Sequence, residues 1–362
     1  MGDPLITHPA TLLAALLLTL SSSAFAVAPT HGFGCSAPHQ AIAQQGFVPI
    51  GGIEQWVTVK GDDCANPIIL FVHGGPGNPL SPYGDAIYGA WSRQFTLVHW
   101  DQRGAGRTYG RTKPAEGEQL SIARLRDDGV ELAAWVSQRY GQRKVILWGS
   151  SWGSILAVHM AKQRPELFHA YLGTAQLVGY QVNQAVSYPK LLGVVRAAGD
   201  QAALAVLESV GAPPWTDPRS FGKVRKIIRK FEAKVTTAPP AAWWAPAPLY
   251  ATPQAEADYE GGEDYSFIQF VGMHGDGMFS TVDLPALGTD FAIPMFFVEG
   301  EQDLLATPDV ARRYYDSIRA PAKDFVLLPR AGHDPNQDVI DAEYKMLTEK
   351  ILPLIQGSQR SP

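Results

Sequence analysis

The densest chemistry in this 362-residue chain lies in five consecutive positions, Gly149-Ser150-Ser151-Trp152-Gly153. Lys144 to Trp148 just before them is a short apolar run of strand length, and Ser154 to Ala161 just after carries apolar residues at helical spacing. The pattern predicts a strand, a sharp turn and a helix, with Ser151 on the turn and its hydroxyl lifted clear of the backbone. Gly149 and Gly153 leave room for strand and helix to approach closely, where a Cβ would collide. The amide of Trp152 opens the helix and points to where negative charge would develop on a carbonyl oxygen. The register is fixed by the neighbours: Ser150 would need glycine at 148 and Ser154 would need it at 152, and both positions are tryptophan.

A serine hydroxyl attacks a carbonyl only when a base takes its proton and a third group orients that base. Two later loops supply candidates. Glu299-Gly300-Glu301-Gln302-Asp303 ends one apolar run, and Arg330-Ala331-Gly332-His333-Asp334 ends another. Ser151, Asp303 and His333 fall in the order serine, acid, histidine, each after a strand. His333 would take the serine proton and Asp303 would hold the other ring nitrogen. Glu299, Glu301 and Asp334 compete for the acid position. Asp303 is preferred because it lies past the strand end, after Gly300 has turned the chain, with Glu301 as the alternative.

Two glycine-rich loops complete the set. His73-Gly74-Gly75-Pro76-Gly77 follows the buried run Ile68 to Val72. Its backbone can approach a substrate oxygen, and the expected second oxyanion donor is the Gly75 amide, with Gly74 as the alternative. His73 is expected to brace this loop rather than act as a base. Asp101-Gln102-Arg103-Gly104-Ala105-Gly106-Arg107 follows the strand Phe95 to Trp100. It reads as an Asp–Arg network pinning a loop in preference to an anion site.

The elements that must hold these loops are legible in outline. Phe47–Ile50 and Ile53–Lys60 read as a hairpin through Gly51-Gly52. Ser121 caps a helix running to Tyr140, and Ala170–Thr174 reads as a strand. From about Gln176 alternation stops and helical patterns follow at Val182–Ala198, Ala202–Val210 and Phe221–Val235. Pro and Trp between Ala238 and Pro253 exclude regular helix there. Strands resume at Ile293, and Asp338–Ile355 reads as an amphipathic helix. The fold class is therefore α/β: a mostly parallel sheet with helices on both faces and an inserted, mainly helical cap. Residues 27–175 and 291–362 form the core and 176–290 the cap. Trp215, Trp243, Trp244, Tyr250, Tyr259 and Phe267 are candidates for an apolar pocket or for cap–core packing. Glu256, Asp258, Glu260, Glu263 and Asp264 are a candidate amine-binding cluster, with an exposed acidic turn the preferred reading.

Taken together, the HGGPG, DQRGAGR, GSSWGS and AGH stretches resemble the proline iminopeptidase family of α/β-hydrolases. The resemblance implies removal of an N-terminal residue, often proline, from short peptides, with cap acids holding the free amine. The chain departs from that pattern where Trp243-Trp244 is followed by Ala245-Pro246 rather than by an acid. A carboxylesterase or lactonase using the same triad is the alternative.

Hydrophobic residues make up 46% and charged residues 18%, with a net charge of −5 and no long basic run, which argues against nucleic acid as a partner. The expected partner is a small peptide, amide or ester; no cofactor and no metal is expected. Thr11–Leu20 followed by Ala24-Phe25-Ala26 reads as a signal peptide over residues 1–26, although its start carries Asp3 and no basic residue. The expected mature chain begins at Val27, secreted or periplasmic, without a stable membrane span. Cys35 and Cys64, the two cysteines, could bridge in an oxidising compartment or remain separate buried thiols.

Overall fold

A computed structural model describes residues 32–360 apart from 38 and 143; the expected signal peptide and its cleavage site lie outside the described residues. Eight strands form one sheet in the order β1-β2-β4-β3-β5-β6-β7-β8. β1 (Ile42–Ile50) and β2 (Ile53–Gly61) make an antiparallel hairpin. Gly51 and Gly52 both take positive φ, the demand of a two-residue turn that matches strand twist. β1 starts five residues before the expected Phe47, because the stretch Ala43–Gly46, with two glutamines and a glycine, carries little apolar signal. β2 runs antiparallel to β4 (Thr96–Trp100). From there β3 (Ile68–Val72), β5 (Val145–Ser150), β6 (Phe168–Thr174), β7 (Met295–Gly300) and β8 (Lys323–Leu328) are all parallel.

β3 and β4 are buried at every residue, which is why they read as unbroken apolar runs rather than alternating ones. Helices cover both faces: α1 (Gly84–Tyr88), α2 (Gly106–Arg111), α3 (Ile122–Arg139) and α4 (Trp152–Gln163) come before the insertion. Ser121 caps α3 by accepting from the Arg124 amide at 3.2 Å. Between β6 and β7 lie α5 (Tyr180–Ala197), α6 (Gln201–Val210), α7 (Pro218–Glu232) and α8 (Pro253–Val271). α9 (Pro308–Ser317) follows β7. The last helix is longer than expected: α10 (Gln337–Met346) passes through a wide turn at Leu347–Ile351 into α11 (Leu352–Arg360). Cys35 and Cys64 form a disulfide that ties the segment before β1 to the turn after β2. Among the described residues no helix is long and apolar enough to cross a membrane.

The acidic stretch Glu256–Asp264 is a correction. It is not a turn but the middle of α8. Gly261-Gly262 weakens the helical signal there, since glycine costs about 1 kcal/mol in a helix interior. In the fold these glycines let α8 press onto α2. A Cβ on Gly262 would lie 3.0 Å from the Gly106 amide nitrogen, and one on Gly261 would lie 2.9 Å from the Tyr109 ring.

Candidate active site

Ser151 sits between β5 and α4 with φ 53° and ψ −121°. This is left-handed φ space that a side chain rarely adopts, and the surroundings hold it there. The Ser151 amide donates to Thr174 O at 3.2 Å, and its carbonyl accepts from the Ser154 amide at 2.9 Å. The glycines on either side are needed sterically. A Cβ on Gly153 would stand 1.9 Å from Val72 O, and one on Gly149 would stand 2.7 Å from Gly153 O. Strand and helix thus meet backbone to backbone, and the hydroxyl is pushed out above the sheet.

The structure brings Ser151, His333 and Asp303 together across 182 and 30 residues of chain: His333 Nε2 lies 3.0 Å from Ser151 Oγ, and Nδ1 lies 2.9 Å from Asp303 Oδ2. Asp303 is fully buried, and its other oxygen accepts from the Leu305 and Ala306 amides, both at 2.7 Å. Burial alone would pull the His333 pKa down, but the Asp303 charge and hydrogen bond outweigh it and hold the pKa above 6.5. The competing acids point elsewhere. Glu299 accepts from the Gln176 amide, Glu301 is exposed, and Asp334 faces Arg229 at 3.5 Å.

His73 braces the glycine loop. Its Nδ1 lies 2.9 Å from Gly74 O, and its Nε2 accepts from the Gln102 amide at 3.2 Å. Burial lowers its pKa to about 4, so the ring is neutral. Gln102 continues the brace: its side chain donates to His73 O at 3.0 Å and accepts from Trp152 Nε1 at 3.0 Å. The loop carrying Gly75 and the first residue of α4 are therefore held by one side chain. Gly75 has φ +108° and lines two cavities with Ser151. The Trp152 amide belongs to the first turn of α4, whose N–H groups lack helical acceptors.

The contacts of the Asp–Arg loop reach beyond the loop itself. Arg103 pairs with Asp128 of α3 at 2.8 Å and donates to Gly51 O at 2.7 Å. Asp101 accepts instead from Ser81 Oγ at 2.5 Å and from the Arg107 amide at 2.9 Å. Its burial pushes the pKa up to about 7. Arg107 lies over the Trp56 ring at 4.2 Å.

Two cavities meet at Ser151. The first, about 460 Å³, lies under α5, α7 and α8 with Trp215, Phe267 and Phe270 in its wall and Glu263 and Asp264 at its edge. The second, about 610 Å³, is lined by His333 together with Trp148, Tyr259 and Trp244. Trp243 takes no part in either and packs in the core. One buried residue carried no sequence signal. Glu232, at the end of α7, accepts from the Leu304 amide at 2.7 Å and from the His333 amide at 3.1 Å. Burial first, and the Asp303 charge second, push its pKa up to about 7. Among the described residues no group of three or more His, Cys, Asp or Glu could hold a metal.

A buried acid–histidine pair aimed at a serine on a strand-to-helix turn, over a parallel sheet, is the framework of one large family, and residues 67–338 match its model, the α/β hydrolase fold. The chain belongs to that family. It is similar to a probable aminopeptidase, YbaC, of Bacillus subtilis, at 27% identity over 82% of this chain and 92% of the relative. It is also similar to a probable proline iminopeptidase of Streptomyces coelicolor, at 25% identity over 75% of this chain and 85% of the relative. Among solved structures VinJ superposes with a TM-score of 0.63 at 18% identity, covering 88% of this hydrolase and all of VinJ. The hydrolase is thus an enzyme with relatives named as peptidases, in keeping with the resemblance carried by its loops.

Proposed function

We propose that this hydrolase is a serine exopeptidase of the proline iminopeptidase type, removing an N-terminal residue from small peptides or amides through an acyl-enzyme. The observation that carries the reading is the continuous line Ser151 Oγ–His333–Asp303 opening into two cavities. Ser151 Oγ attacks the carbonyl carbon while its proton passes to His333 Nε2. The carbonyl oxygen takes the negative charge and is met by the amides of Gly75 and Trp152. Collapse breaks the C–N bond, and the leaving amine takes the proton from His333. Water then repeats the sequence on the ester, with His333 again as base. Glu263 and Asp264 supply negative charge at the edge of the first cavity, where a free amino terminus would sit.

A panel of aminoacyl chromogenic amides, each with free or acetylated amino terminus, tests this beside simple esters. Cleavage that depends on the free amine supports the exopeptidase. Equal turnover of blocked compounds and esters supports the carboxylesterase or lactonase instead. We further propose export, supported by the apolar run 11–20, the Ala24-Phe25-Ala26 pattern and a Cys35–Cys64 bridge of the kind that persists in oxidising compartments. N-terminal sequencing from the native host should begin at or near Val27; an intact Met1 in a cytoplasmic fraction overturns it.

A further inference from the structure

One face of α7 is turned toward Ser151. Arg225, Arg229 and Glu232, spaced i, i+4 and i+7, all line the second cavity, and the two arginines also line the first. Two of the three side chains are engaged. Glu232 holds the Leu304 and His333 amides, and Arg229 faces Asp334. Arg225 is half-buried, and among the described residues it makes no hydrogen bond and no ion pair. A guanidinium remains charged at any working pH and presents donors in a planar fork that matches a carboxylate. Burial first, and the neighbouring Arg229 second, pull its pKa down, while Asp334, Asp303 and Glu232 favour its charge without contacting it.

The reaction sets which cavity takes which half of the substrate. His333 must return its proton to the departing amine, so the leaving group lies in the cavity that His333 lines. In a dipeptide that leaving group is a single amino acid, and its α-carboxylate is two bonds from the departing nitrogen. We propose that Arg225 binds the free carboxylate of the leaving residue and so makes free-acid dipeptides the preferred substrate class. The proposal rests on the exopeptidase reading. It also adds positive charge from α7, shared by the two cavities, to the negative charge that the acids of α8 bring to the first.

The test compares a dipeptide free acid with its C-terminal amide in the wild type, Arg225→Gln and Arg225→Lys. The wild type is expected to favour the acid by about tenfold or more in kcat/KM, chiefly through KM, the effect of a charge-assisted hydrogen bond. In Arg225→Gln the acid-to-amide ratio falls toward one, and Arg225→Lys, with charge but no fork, keeps part of it. Measurable turnover with equal kcat/KM for acid and amide in the wild type overturns the proposal. So does an Arg225→Gln variant that loses both substrates in proportion, since Arg225 would then serve only as a counter-charge for the buried acids. Calorimetric binding of the same two dipeptides to Ser151→Ala separates the proposal from the reading beneath it. Tighter binding of the acid that disappears in Ser151→Ala/Arg225→Gln supports the carboxylate site even where the wild type cleaves neither compound, an outcome that removes the exopeptidase reading alone. Equal binding of acid and amide overturns the carboxylate site.

Discussion

Glu232 accepts a hydrogen bond from the backbone amide of His333 at 3.1 Å, tying the inserted helices to the loop that carries the imidazole. Its other oxygen takes the Leu304 amide, next to Asp303, at 2.7 Å. One side chain from α7 thus fixes the backbone of both loops that meet at Ser151. Glu232→Ala leaves two amides without an acceptor in a buried setting, at about 1–3 kcal/mol each. The expected result is a lower unfolding midpoint together with a reduced kcat. Glu232→Gln keeps one acceptor and should fall between. A Glu232→Ala enzyme with wild-type stability and kcat would show that the contact sets nothing.

The same residue predicts a pH dependence of stability. Its pKa in the fold is about 7, above the usual carboxylate value, because burial and then Asp303 disfavour the charge more than the amides and His333 favour it. A raised acid is a group the folded state prefers protonated. Its contribution is complete below the unfolded pKa of about 4.3 and is lost as pH rises through about 7. Denaturant titrations should show stability falling across that window in the wild type and a shallower fall in Glu232→Gln. Identical slopes would remove Glu232 as the source.

Activity should run in the opposite sense. His333 acts as a base only when neutral, and the Asp303 carboxylate holds its pKa above 6.5 despite burial. The acidic limb of kcat/KM should therefore have its midpoint above 6.5. Asp101 and Glu232 titrate in the same region, so the limb must persist in Glu232→Gln. A midpoint well below 6.5 would mean that the pair does not control the base.

The triad loops were legible because each sits at the end of an apolar run and carries a residue type that its chemistry requires. Ser151 has its glycines, and Asp303 and His333 each follow a strand by a few residues. Glu232 left no such mark. It stands among basic residues near the end of an amphipathic helix, 71 residues before Asp303, and only packing shows that it is buried. The role of Gly261-Gly262 was hidden for a related reason. Local propensity reads two glycines as a break, while tertiary contact with α2 uses them as clearance. The partner of Arg103 was not legible, because Asp128 lies on a different element, 25 residues away.

Gly153 provides a steric test of the turn. Its added Cβ would lie 1.9 Å from Val72 O and 2.7 Å from His73 O, both backbone atoms. Neither can yield without moving β3 or the glycine loop. Gly153→Ala should therefore cost about 3 kcal/mol or more, at the upper end of single substitutions. Thermal unfolding measures it. A variant with the wild-type midpoint would mean that α4 sits farther from β3.

Ser151→Ala separates chemistry from fold. The substitution removes one oxygen, whose hydrogen bond runs to His333 Nε2 at 3.0 Å, and leaves the backbone demand of φ 53° unchanged. Stability should stay within about 1 kcal/mol of the wild type, the cost of one hydrogen bond. Turnover should fall by about 10⁴–10⁶-fold, the loss seen when a serine nucleophile is removed. His333→Ala should cost a similar factor. Because the two residues act as a unit, the double variant should lose little beyond either single one. A fluorophosphonate should label Ser151 and neither Ser150 nor Ser154, since Ser154 Oγ donates to Ser151 O at 2.6 Å and accepts from Gln176 Nε2 and the Leu177 amide, both at 3.1 Å, rather than meeting His333. Substantial turnover by Ser151→Ala, or a label on either neighbour, would require another nucleophile.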